Sequence, residues 1–117
     1  MVETHHIHKL DHPSGTAVTL AEDLIAESNR VNAWAEPEEG KELAADVLEI
    51  DHIRSGEVPG IHTVVWDSAQ DSISITHSAK TREGFAMGAV LAAEWLAGKK
   101  GFHTIDEMFG DLISESN

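Results

Sequence analysis

The chain has 117 residues, 41% of them apolar and 25% charged, and no cysteine. It is one ordinary domain with the composition of a folded protein, too short for two enzyme domains and without disulfide or thiolate chemistry. Its formal charge of −13 repels nucleic acid and anionic lipid. No apolar run reaches the roughly 18 residues of a membrane helix. Met1-Val2-Glu3-Thr4-His5-His6 lacks the basic and apolar regions of a signal peptide, so a cytoplasmic location is expected.

Residues Val2 to His8 alternate loosely and predict a strand. Asp11-His12-Pro13-Ser14 is turn chemistry. Ala17, Leu20, Ala21, Leu24 and Ile25 then fall on one face of a helix, with Ser14 placed to cap it. Residues 32 to 45 form a long acidic connection with room for a helical turn. Strands are predicted over Val47–Arg54, Ile61–Asp67 and Ser72–Ser78, separated by turns at 55–60 and 68–71. In the last of them Ile73 and Ile75 share one face and Ser74 and Thr76 the other, and the three strands are expected to form an antiparallel meander.

A second helix is predicted from Arg82 to Ala97, with Phe85, Ala89, Ala92, Ala93 and Leu96 as its stripe and Gly98 as its stop. Gly84, Gly88 and Ala92 make a small-residue ridge suited to close packing on the sheet. Thr104-Ile105-Asp106-Glu107 reads as a capping box, opening a short helix that turns Met108, Phe109, Leu112 and Ile113 inward. The order predicts an α+β fold: a four-stranded, mixed but mostly antiparallel sheet with helices on one face. The strand Ile61–Asp67 is apolar on both faces, Ile61 and Val65 on one, Val64 and Trp66 on the other. The face without helices is therefore expected to bury against another copy, in a dimer or tetramer; the alternative is that the acidic connection covers it.

The first dozen residues depart from the acidic average: His5, His6, His8, His12 and Lys9 stand against Glu3 and Asp11. A helix opening at Ser14-Gly15-Thr16 offers free backbone amides and the positive end of its dipole. Gly15 permits close approach, the Ser14 and Thr16 hydroxyls add donors, and Lys9 adds a charge. An imidazole beside such a cradle can give or take a proton near neutral pH. These residues suit a small acidic substrate that is protonated during reaction. Two plainer readings stand beside this one: a simple helix cap with solvated histidines, and a zinc site using His6 and His8 with Glu3, His12 or Asp11. The spacing matches no strong zinc signature and Lys9 repels a cation, so no metal is expected.

The run His5-His6-Ile7-His8-Lys9-Leu10-Asp11-His12-Pro13-Ser14-Gly15-Thr16-Ala17 resembles a signature of the dihydrodipicolinate reductase (4-hydroxy-tetrahydrodipicolinate reductase) family, H-H-x-x-K-x-D-A-P-S-G-T-A. Arg54-Ser55-Gly56-Glu57-Val58-Pro59-Gly60-Ile61-His62, the strand Ile73–Ala79 with its His77, and Thr81-Arg82-Glu83-Gly84-Phe85-Ala86-Met87-Gly88-Ala89 resemble further family motifs in the same order. His12 departs from the pattern, standing where a small residue is usual.

The resemblance implies reduction of 4-hydroxy-tetrahydrodipicolinate or dihydrodipicolinate, a cyclic unsaturated dicarboxylate, to tetrahydrodipicolinate with NADH or NADPH, in diaminopimelate and lysine biosynthesis. It implies that His5 is the general acid/base, Lys9 a partner proton donor and His6 a substrate contact, with Gly15 and Thr16, beside Ser14, gripping a carboxylate. Arg54, His62, His77 and Arg82 are expected next to the pocket or in structural roles. No G-x-G-x-x-G follows a strand. The chain is accordingly expected to be the C-terminal substrate-binding and tetramerisation domain alone. It would lack the Rossmann nucleotide-binding domain, hold no dinucleotide and have no turnover by itself, and residues 102–117 would form the tail that returns to the missing domain. The competing expectation is a stand-alone module that binds small dicarboxylates, or serves assembly, without catalysis.

Overall fold

The structure, a computed structural model, describes residues 1–116. The chain divides into two compact units, Met1–Lys80 and the part from Thr81 onward.

The first unit contains β1 (Val2–His5), α1 (Gly15–Glu27), β2 (Ala33–Ala35), β3 (Val47–Glu49), β4 (Asp51–Arg54), β5 (Ile61–Asp67) and β6 (Ser72–Ser78). Four of the strands form a sheet in the order β4-β1-β5-β6. The pair β1–β4 is parallel, while β1–β5 and β5–β6 are antiparallel. The α+β class and the mixed, mostly antiparallel sheet agree with the sequence. The meander does not, because β1 is inserted between β4 and β5. The turn after β4 arches over the end of β1: Ser55 donates its amide to the His5 carbonyl at 2.9 Å, and Ile7 donates to Gly56 at 3.0 Å. The same two bonds turn the chain away at His5, so β1 stops there rather than running on to His8.

The predicted strand 47–54 is two strands, broken at Ile50. That residue is fully buried. Its amide bonds the Ala35 carbonyl at 2.9 Å, while the next amide, Asp51, bonds Met1 at 3.0 Å. β3 thus pairs with β2 in a separate two-stranded parallel sheet, and β4 crosses to β1. The Ile50 side chain packs against Ala17 and Ala21 of α1, with Met1, Trp34 and Leu48 around them. Small residues at 17 and 21 bring the helix close, and burying Ile50 contributes roughly 1.5–3 kcal/mol. The strand β2 lies in what reads as a connection; three residues of Ala-Trp-Ala are too few to show a period.

In the second unit, α2 (Glu83–Leu96) and α3 (Ile105–Glu115) lie close to their predicted bounds. Gly98, at φ +81°, follows the first. Thr104 and Glu107 form both arms of the capping box. Met108 is buried and borders, with Ala92, Trp95 and Leu96, a small apolar cavity. Asp111 accepts from Trp95 Nε1 at 2.9 Å and from Lys99 Nζ at 3.1 Å. Phe109 and Ile113 are exposed rather than turned inward, as are Phe85 and Leu96 of the α2 stripe. Within this unit, a Cβ built at Gly84 or Gly88 meets nothing within 4 Å. Among the described residues no helix is long and apolar enough to cross a membrane.

Candidate active site

Strand alternation places Glu3 and His5 on the same, buried face of β1. The ladder sets His52 and His62 on either side of Glu3, Arg54 beside His5, and His77 beside His62. One sheet face therefore gathers a carboxylate, a guanidinium and four imidazoles. The N-terminus of α1 is fastened to this face. The Ser14 amide donates to both Glu3 oxygens at 3.1 and 3.2 Å, and the Ser14 hydroxyl lies 3.1 Å from His62 Nε2. The same hydroxyl accepts from the Ala17 amide at 3.2 Å, which makes Ser14 the cap the sequence predicts. Gly15 and Thr16 open the helix, and among the described residues their amides meet no acceptor.

Glu3 is the hub. It is fully buried, accepts from Arg54 Nη2 at 3.2 Å, and lies 3.6 Å from both His5 Nδ1 and His62 Nε2. Burial pushes its carboxyl up, but the hydrogen bonds from Ser14 and Arg54 outweigh it and hold Glu3 below its ordinary range. Arg54 also clamps the loop after β1, donating to the Lys9 carbonyl at 3.2 Å and the Asp11 carbonyl at 2.7 Å.

His5 and His62 meet edge to face, with ring centroids 5.1 Å apart. Burial pushes both below the ordinary histidine range. The Glu3 charge opposes the shift in each; neighbouring positive groups, including each other's partner histidines and Lys9, add to it. Burial thus favours the neutral form of both rings in the free chain. Gly60 keeps the far side of His5 open: a Cβ there would stand 3.3 Å from Nε2. Beside this cluster, Thr16 and Leu20 of α1 face His62, Val64, Ile75 and His77 across a cavity of about 320 Å³.

The other expected residues are placed less tightly. His6 follows the strand, with a shielded Nδ1 that has no hydrogen bond. Lys9 is on the surrounding loop, and its ammonium is held by both Asp11 oxygens at 2.9 and 2.8 Å. That bond holds the Asp11 carboxyl below its ordinary range. The structure thus brings His5, Ser14, Gly15 and Thr16 together around Glu3, with His6 and Lys9 on the loop between them. Arg82 begins α2 in the other unit.

Glu3 and the working positions of Arg54 and His62 escaped the sequence reading. The signal was the i, i+2 pair Glu3 and His5: a lone acid facing the same way as a catalytic candidate on a strand. β1 ends at His5, so His6 and His8 do not alternate along it; their rings lie 5.9 Å apart on the loop, and His8 pairs with Glu57 at 2.9 Å. Glu3, His5 and His62 do approach one another as ligands would, but the Arg54 guanidinium on Glu3 repels a cation. Chemically, this arrangement offers helix-terminus amides to an anion and sets two imidazoles beside a fixed carboxylate.

The family model described as "Dihydrodipicolinate reductase, C-terminus" matches residues 1–109, and the chain belongs to that family. It is 46% identical over 111 residues to the 4-hydroxy-tetrahydrodipicolinate reductase of Christiangramia forsetii, covering 95% of this chain and 45% of that protein. It is 42% identical over 112 residues to the enzyme of the same name from Archaeoglobus fulgidus, covering 92% and 44%. Among solved structures, the dipicolinate-bound dihydrodipicolinate reductase from Paenisporosarcina sp. TG-14 matches with a TM-score of 0.58 and 26% identity, over 77% of this chain and 36% of that one. The chain spans less than half the length of these relatives.

Proposed function

We propose that this chain is the substrate-binding, proton-delivering part of an NAD(P)H-dependent reductase. Its substrate is 4-hydroxy-tetrahydrodipicolinate or dihydrodipicolinate, a cyclic dicarboxylate on the diaminopimelate route to lysine. The observation that carries the reading is the fastening of Ser14 to Glu3. It fixes the open Gly15 and Thr16 amides beside the buried His5–His62 pair.

One substrate carboxylate sits on the Gly15 and Thr16 amides and the Thr16 hydroxyl, where the helix dipole favours negative charge. His6 contacts the ring and Lys9 exchanges Asp11 for the substrate. His5 is neutral before binding. The incoming negative charge raises its proton affinity, so it takes up a proton on binding and can deliver it to the ring. Glu3 fixes the His5 ring and stabilises its cationic form.

Hydride comes from the dinucleotide. The described residues do not fit that cofactor, since no glycine-rich turn links a strand to a helix, and none of them is assigned a contact with it. On this reading the nucleotide is bound by a further domain, to which the tail from Phe102 returns, and the chain alone does not turn over. The exposed strand β6 and the apolar side chains on both faces of β5 support assembly with further copies through the sheet. A cytoplasmic setting goes with that role.

Calorimetric titration with pyridine-2,6-dicarboxylate, a planar mimic of the substrate, tests the proposal. The chain binds it, and Lys9→Ala or Thr16→Val weakens binding at least tenfold. No binding to the unsubstituted chain, or full binding by both variants, overturns it.

A further inference from the structure

A second constellation adjoins this site and shares His52 with its sheet face. His12 sits in the loop before α1, Glu36 directly after β2, and His52 within β4. His12 Nδ1 is 2.6 Å from Glu36 Oε1, and His52 Nδ1 is 3.1 Å from the same oxygen. The two imidazoles stack, with centroids 3.9 Å apart and planes 15° from parallel. We propose that His12, Glu36 and His52 bind a divalent first-row transition-metal ion of the Zn²⁺ class, which ties the loop before α1 to both sheets.

The donor set is two imidazoles and one carboxylate, which suits zinc with a water in the fourth position. A tetrahedral zinc with bonds of about 2.0–2.2 Å holds its donor atoms roughly 3.3–3.5 Å apart. The three donor atoms here already lie within 4.8 Å of one another. Seating an ion needs the carboxylate oxygen and the nitrogens to open by less than about an ångström, and the exposed His12 ring to rotate out of the stack, because lone pairs in near-parallel planes do not meet at one point. The side chains are partly exposed, so they are free to do so.

His12 and Glu36 are hydrogen-bonded at rest, but the His52 contact is unsatisfactory without an ion. His52 Nδ1 is shielded from solvent and makes no hydrogen bond, although the Glu36 oxygen is close. The oxygen lies off the line an N–H would need, and a nitrogen lone pair there would face a carboxylate. A cation between the donors turns this contact into an attractive one. Two neutral imidazoles and one carboxylate leave a Zn²⁺ site with a net charge of about +1, which the acidic surface of this chain favours.

The donors are also held from behind. Arg54 binds the Asp11 carbonyl and Glu3 binds the Ser14 amide, on either side of His12. The Ala35 carbonyl, next to Glu36, accepts from Ile50, and His52 is paired in the ladder beside Glu3. The backbone that carries the donors is thus fixed, and the ion has only side chains to order. His12 is also the residue that departs from the family-like motif. The site thus belongs to this chain and does not rest on the proposed reaction.

The test is calorimetric titration of the metal-stripped chain with Zn²⁺ alone, with the thermal midpoint read at each ratio. One ion binds per chain. His12→Ala and Glu36→Gln each weaken binding at least tenfold and abolish the zinc-dependent rise in midpoint. His8→Ala, which removes an exposed histidine elsewhere on the loop, leaves both unchanged. Because His12 is exposed, its variant keeps the fold, which circular dichroism checks. Absence of zinc uptake overturns the proposal. So does equal affinity in the chain and both site variants, which would put the ion on other histidines.

Discussion

Replacing Glu3 by Gln removes the charge at the centre of the site while keeping its shape. Glu3 is fully buried and holds the Ser14 amide and the Arg54 guanidinium. Hydrogen bonds to a charged group are worth about 1.5–3 kcal/mol each, and stranding a buried ionic partner costs about 3–5 kcal/mol. Arg54 is not fully stranded, because the Lys9 and Asp11 carbonyls still accept from it, and the Gln carbonyl still accepts from Ser14. The expected loss is therefore below those limits taken together, about 2–3 kcal/mol. For a domain of this size that lowers the thermal midpoint by about 8–12 °C. Differential scanning fluorimetry at pH 7.5 measures it, with urea unfolding as a second reading. The sign with pH is also fixed. The Glu3 carboxyl is depressed in the fold, so its contribution is present above its ordinary unfolded value and is lost as pH falls through the folded one. The gap between Glu3→Gln and the unsubstituted chain must then narrow in acid. A midpoint change under about 2 °C at pH 7.5, or a gap that widens in acid, refutes the hub assignment.

The neutral imidazoles give a second pH signature. His5 and His62 are both depressed in the fold, so their contribution is complete above about pH 6.5 and declines below it, by at most about 1.4 kcal/mol per pH unit for each. Urea unfolding that is flat from pH 7.5 to 5.5 contradicts this. Binding of pyridine-2,6-dicarboxylate at pH 7.5 is expected to take up protons, measured by titration in buffers of different ionisation enthalpy; zero uptake excludes His5 as the group charged on binding. Gly60→Ala puts a methyl 3.3 Å from His5 Nε2 at a residue whose φ is +158°, so an overpacking of about 1–3 kcal/mol is joined by backbone strain. It is expected to shift the His5 ring resonances and weaken dicarboxylate binding while leaving the sheet intact. Unchanged ring resonances contradict the close approach.

The sequence was most readable where a period or a cap is local. The turn at 68–71, the strands on either side of it, the Ser14 cap and the Thr104–Glu107 box each follow from a few neighbouring residues, and the structure has them all. Strand order was not readable, because pairing of β4 with β1 rather than β5 depends on where the 55–60 turn crosses. Nothing in the period of either strand encodes that. The break at Ile50 was hidden for a related reason: one buried residue joins two strands of different sheets, and the run reads as continuous. At the site, His5, Ser14, Gly15 and Thr16 were legible from helix-terminus chemistry and the motif. Glu3 was not, since an acid on a short strand ordinarily faces water. The pairing of Lys9 with Asp11 depends on how the loop folds back, which spacing alone does not give.

The central claim is that a dicarboxylate docks on the first-turn amides of α1 next to His5. Amide-resolved NMR during titration with pyridine-2,6-dicarboxylate locates the ligand directly. The account predicts that the Gly15 and Thr16 amides move most, with the His5 ring moving alongside them. Shifts centred elsewhere on the sheet, with Gly15 and Thr16 unmoved, contradict it.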